Sequence, residues 1–136
     1  MKSVVLVWLS AACLSSLGCG DSNPLGRVPV SGTVTMNGQP LPAGTIRFEP
    51  LQTTQAVEAG STITGGQYEI HAEKGLLPGK YRVVISSMRE TGEFAETMGR
   101  QTPILAESLP ARFNQQSDLA AEVNHSKEPI DFDVSF

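Results

Sequence analysis

Few side chains in this 136-residue chain are equipped for chemistry. Hydrolysis by a serine nucleophile needs a base, and only His71 and His125 are available for that role. No Gly-x-Ser-x-Gly elbow exists to present such a nucleophile. His71 falls on the polar side of an alternating segment and His125 in the turn Asn124-His125-Ser126-Lys127, so both read as exposed histidines without a partner pattern. Asp131 and Asp133 share an outward face, and Asp118 and Glu122 precede them. Their hard oxygens suit Ca²⁺, but no Asp-x-Asp-x-Asp-Gly loop is present to wrap the ion. They read as solvated strand faces carrying charges that oppose edge-to-edge aggregation. No Gly-x-Gly-x-x-Gly or Walker loop offers a nucleotide site. The expectation is no catalytic, cofactor-binding or metal residue. The formal net charge of −4, without a Lys/Arg cluster, excludes nucleic acid as an expected partner.

The chemistry that does stand out is at the N-terminus. Lys2 precedes the apolar run Val4-Val5-Leu6-Val7-Trp8-Leu9, and small residues lead on to Leu17-Gly18-Cys19. This is the layout of an export signal, and the run is too short for a stable membrane span. Its end resembles a bacterial lipoprotein signal, where a small residue precedes a Cys that becomes the acylated first residue. Gly18-Cys19 fits, with Gly20-Asp21-Ser22-Asn23 as a polar tether, although Ser16 stands where an apolar residue is usual. Cys13 is a weaker alternative that would leave Leu14 and Leu17 in the tail. An ordinary secretory signal would discard both. Both cysteines lie in the first 19 residues, so the folded part has no disulfide. The reading is a signal peptide at 1–18, a tether at 19–27, and a membrane anchor through an acylated Cys19. Each acyl CH₂ buried contributes about 0.8 kcal/mol.

The rest must be β-structure. Only 6% of residues are aromatic, while Gly (13) and Pro (9) are plentiful. Val28, Val30, Val34 and Met36 alternate with polar residues, and Asn37-Gly38 then supplies a hairpin turn. Ile46 and Phe48 point inward from a second strand, 45–50. Thr64-Gly65-Gly66-Gln67 turns into Tyr68, Ile70 and Ala72, and Leu77-Pro78-Gly79-Lys80 into Tyr81-Arg82-Val83-Val84-Ile85-Ser86. Leu119, Ala121 and Val123 alternate next, followed by Ile130, Phe132, Val134 and Phe136. A further strand is possible around Val57–Thr62. Strands at this spacing predict an antiparallel β-sandwich over 28–136.

Residues 87–113 break the rhythm and read as a long polar loop, the place for specificity. Phe94 and Met98 lie four apart, so a short helix would bury them on one side.

Several of these segments resemble the carboxypeptidase-regulatory-like, or transthyretin-like, domain. They are Val30-Ser31-Gly32-Thr33-Val34 through Gly44, Gly66-Gln67-Tyr68-Glu69-Ile70, and Leu77-Pro78-Gly79-Lys80-Tyr81-Arg82-Val83-Val84. The chain from about residue 15 onward also looks like small bacterial lipoproteins carrying this domain, through Pro110-Ala111-Arg112-Phe113-Asn114 and Asp131-Phe132-Asp133. The resemblance implies a seven-stranded antiparallel β-sandwich of the transthyretin/prealbumin-like type and, as fold does not fix activity, a non-catalytic binding or structural role. Transthyretin-related hydrolases of purine breakdown end in Tyr-Arg-Gly-Ser, where this sequence has Asp133-Val134-Ser135-Phe136. The expected product is a lipid-anchored extracytoplasmic domain, not an enzyme, that meets an envelope protein through a sheet edge or the 87–113 loop. The alternatives are a glycan-binding accessory module or a small hydrolase. Trp8, the only tryptophan, goes with the signal, and Tyr68 and Tyr81 sit at inward positions, leaving no aromatic platform for a sugar.

Overall fold

The computed structural model describes Asn23, residues 25–52 and residues 57–136. The signal expected at 1–18, Cys19, and residues 20–22 and 24 of the expected tether lie outside the described residues. The described chain is all-β, with ten strands and two single-turn 3₁₀ helices, Ala72–Lys74 and Ala111–Phe113. The strands are β1 (Val30–Met36), β2 (Gln39–Pro40), β3 (Ala43–Pro50), β4 (Ala59–Thr64) and β5 (Gln67–Ile70). They continue with β6 (Gly79–Ser86), β7 (Met88–Thr97), β8 (Arg100–Glu107), β9 (Ala120–Val123) and β10 (Phe132–Val134).

Seven strands form one path, β10-β1-β5-β4-β3-β6-β9, with β2 paired on β1. All neighbours run antiparallel except β10, which lies parallel to β1. Alternation places one side of each strand inward: Val30 and Val34, Ile46 and Phe48, Tyr68 and Ile70, and Tyr81, Val83 and Ile85 are buried. Val134 of β10 and Val123 of β9, from opposite ends of the path, join the same apolar cluster. The sheet is therefore curled around a common core. Phe48 lies at its centre, with ring centroids 6.1 Å from Tyr68, 6.3 Å from Tyr81 and 6.3 Å from Phe132.

The turns follow from the residues placed there. Asn37 and Gly38 have φ of 49° and 78°, and Gly65 and Gly66 have 58° and 77°, the double positive φ of two-residue hairpin loops. The segment around Val57–Thr62 is a strand, β4, shifted two residues onward.

Residues 87–113 differ from expectation. They contain neither a long loop nor a helix burying Phe94 and Met98. Residues 88–107 form a two-stranded hairpin of β7 and β8, separate from the main sheet. Met98 (φ 52°) and Gly99 (φ 73°) make its turn. Phe94 is 59% exposed and Met98 99%. Their four-residue spacing suits a helix, but Gly92 and Pro103 both oppose one. Gly99 accepts positive φ, so pairing across Met98-Gly99 prevails. Asn prefers Met98's left-handed position because its side chain bonds locally. Met98→Asn is expected to stabilise the hairpin by on the order of 1 kcal/mol, read as slower amide hydrogen exchange confined to 88–107.

Candidate functional site

The groups that the sequence offered for chemistry are held apart. His71 follows β5 and lies 3.3 Å from Glu69, both side chains well exposed. His125 follows β9 in an exposed turn where the Ser126 amide donates to Asn124 Oδ1. Asp118 and Glu122 lie at β9, the other end of the strand path from Asp131 and Asp133 at β10. Among the described residues, no group of three or more His, Cys, Asp or Glu side chains is gathered to hold a metal.

Asp131 and Asp133 are instead spent on the fold. Asp131 Oδ1 accepts from the Thr33 amide at 2.7 Å and the Thr33 hydroxyl at 2.8 Å. Asp133 Oδ1 accepts from the Thr35 hydroxyl at 2.7 Å, and its other oxygen from the Ser135 hydroxyl. The Asp-Phe-Asp segment thus stitches β10 along β1. Tyr68 donates to the Ile130 carbonyl at 2.6 Å and Tyr81 to the Leu77 carbonyl at 2.7 Å. Burial pushes both phenols up, with the charge of Asp131 adding at Tyr68. These tyrosines are structural.

Two surface features bear on function. One is an open concavity of about 940 Å³ on the outer face of β4, β3 and β6. Arg82 Nε donates to Glu49 Oε2 at 2.9 Å, Arg47 reaches Glu49 Oε1 at 2.7 Å, and Arg47 Nε lies 3.2 Å from Glu58. Asn114 and Gln115 close one side. The Arg82 hydrogen bonds hold the Glu49 carboxyl below its ordinary 4.5, with Arg47 adding to the effect and partial burial opposing it. Because the folded value is depressed, this contribution to stability is complete above the unfolded carboxylate value and declines as pH falls through the folded one. Unfolding free energy is therefore expected to fall on acidification below about 4.5, and Glu49→Gln to flatten that slope in urea titrations at several pH values. The effect is modest, because the paired arginines are about half exposed.

The other feature is the β7–β8 hairpin. Its root is clamped. Glu107 accepts from the Ser86 hydroxyl, from the Ser87 amide at 2.9 Å and from the Leu109 amide at 3.1 Å. The Ser87 hydroxyl donates to the Ala43 carbonyl, and Ser108 donates through both its amide and hydroxyl to the Ser87 carbonyl, each at 2.7 Å. Burial pushes the Glu107 carboxyl up, but these donors outweigh it and hold the group below its ordinary value. Beyond the root, every residue from Met88 to Leu105 is exposed. The ribbon stands clear of the curled sheet. The segment expected to be a long polar loop is a paired ribbon over 88–107. The available signal was Gly99 after Met98, flanked by Thr97 and Arg100.

Comparison with protein-family models, curated proteins and solved structures returned no match to this chain.

Proposed function

We propose that this chain is an exported lipoprotein, anchored through an acyl group on Cys19, whose transthyretin-type β-sandwich holds a protein partner at the cell envelope and does no catalysis. The observation that carries the placement is the order along the chain. An apolar run ends in Leu17-Gly18-Cys19, a polar tether follows, and an all-β body begins at Val28. The sandwich reading draws support from the seven-strand path curled over one core, with residues of both its end strands inside. The binding reading draws support from the clamped hairpin, whose exposed apolar side chains the body leaves uncovered.

The test is the intact mass of the protein extracted from host membranes. A chain starting at Cys19 with added acyl mass supports the anchor. A chain starting elsewhere, or without that mass, removes it, and the partner search then moves to secreted material.

The concavity favours a second reading, a glycan-binding module. Arg47, Glu49, Arg82, Asn114 and Gln115 supply fixed donors and acceptors of the kind that match sugar hydroxyls. Retention on cell-envelope polysaccharide, lost in Arg82→Ala, would support it over the protein partner.

A further inference from the structure

The hairpin's two faces are chemically different. Residues opposite one another across an antiparallel pair share a face, and alternate residues along a strand return to it. Glu90 pairs with Leu105, Phe94 with Pro103, and Glu96 with Gln101, which places Phe94, Leu105 and Pro103 on one face together with the carboxylates Glu90 and Glu96. Arg89 and Arg100 fall on the other face, opposite Ala106 and Thr97. The first face is an apolar strip of Met88, Phe94, Pro103 and Leu105 interspersed with the carboxylates of Glu90, opposite Leu105, and Glu96. Phe94 and Leu105 are 59% and 53% exposed, yet an isolated two-stranded ribbon in water is marginal at best. A bulge between Glu90 and Phe94, and Pro103 without an N–H, interrupt the ribbon's edges. A face is better suited to meet a partner here than a free edge.

Topology decides which way the arm points. The tether joins the body where Val28 and Leu76 exchange backbone hydrogen bonds of 2.7 and 3.0 Å and Arg27 donates to the Gly75 carbonyl. That pole lies just before β6 begins at Gly79. The hairpin leaves from the other end of β6, after Ser86. The eight residues of β6 separate tether and arm by roughly 25 Å at the usual strand rise.

We propose that the β7–β8 hairpin is a docking arm for a protein surface carrying an apolar patch flanked by lysine or arginine, received on the Phe94–Leu105–Pro103 face. Charge complementarity selects this occupant. A second copy laid face to face would oppose glutamates to glutamates, and an anionic membrane would meet the same repulsion. The inference deepens the envelope-protein reading above and rests on it only for orientation: with Cys19 in the membrane, the arm reaches away from the lipid.

The test uses the full chain as isolated, ¹⁵N-labelled, with a synthetic peptide of alternating lysine and leucine as probe and a glutamate–leucine peptide as control. The lysine peptide is expected to shift amides of residues 88–107 and to bind more weakly as salt rises. Phe94→Ser, and separately the pair Glu90→Gln with Glu96→Gln, should each weaken it at least tenfold while leaving the unfolding midpoint unchanged, since these side chains are exposed. Shifts spread over the body, or variants that bind equally well, would overturn the proposal. A concentration-dependent dimer abolished by Phe94→Ser would overturn it in favour of self-association. Hairpin shifts on phosphatidylglycerol vesicles without shifts from the peptide would overturn it in favour of lipid. All of these are read in solution, so an acyl group missing from the intact mass refutes the anchor without altering them.

Discussion

Replacing Phe48 with alanine is expected to cost about 3–5 kcal/mol of folding free energy, a large share of the roughly 5–15 kcal/mol that a small domain possesses. Phe48 is fully buried on β3, and its ring meets Tyr68 of β5, Tyr81 of β6 and Phe132 of β10. The rings facing it are tilted or edge-on, arrangements that add to area burial. Strands far apart on the sheet path touch one another through this side chain. Its removal opens a cavity where the curl closes, and backbone ladders on either side prevent collapse into the space. Urea unfolding would show the midpoint falling sharply; a loss below 1.5 kcal/mol would mean that the core is looser than this packing implies. Phe48→Leu, which keeps most of the volume, should retain a larger share of the stability and excludes simple misfolding as the cause.

Gly32→Ala is expected to destabilise by about 3 kcal/mol, combining overpacking with the loss of a buried hydrogen bond. A Cβ at position 32 would lie 2.0 Å from the Ile130 carbonyl oxygen, which is backbone and cannot swing aside. Three things depend on the position of Ile130. Its amide donates to the Ser31 carbonyl at 2.9 Å, its carbonyl accepts from Tyr68, and the next residue, Asp131, caps Thr33. Moving it therefore loosens β10 from β1 as a unit. The change is expected to appear as faster hydrogen exchange through β10 and a lower urea midpoint, whereas Gly38→Ala, with open space at its Cβ position, meets no such clash. Gly38→Ala instead meets the strain of a positive φ of 78°, so its loss of stability should leave exchange through β10 unchanged. A Gly32→Ala variant with normal β10 exchange would show that close approach to Ile130 does not govern the position.

Much of this architecture was legible along the chain. Alternation at Val30 and Val34, Ile46 and Phe48, and Tyr81, Val83 and Ile85 is a local property, because successive side chains of a strand must point to opposite faces. Asn37-Gly38 and Gly65-Gly66 announce their turns because few other residues tolerate positive φ twice. The hairpin at 88–107 was not legible in that way. Its inward and outward sides are both wet, so no apolar alternation marks them, and Phe94 with Met98 imitates a helical face. The roles of Asp131 and Asp133 were equally hidden. Two outward carboxylates at period two look alike whether they face water or a threonine ladder on a strand almost a hundred residues away.

By itself the sequence determined the β class, most of the inward residues and the two glycine-bearing turns, since each depends on neighbours in the chain. Tertiary structure alone decided the order of strands, the parallel docking of β10 on β1, the closure of the core over Phe48, and the clearance of the hairpin from the body. Those features rest on contacts between residues distant in sequence, where hydrogen-bond geometry and close approach choose among pairings that local periodicity leaves equivalent.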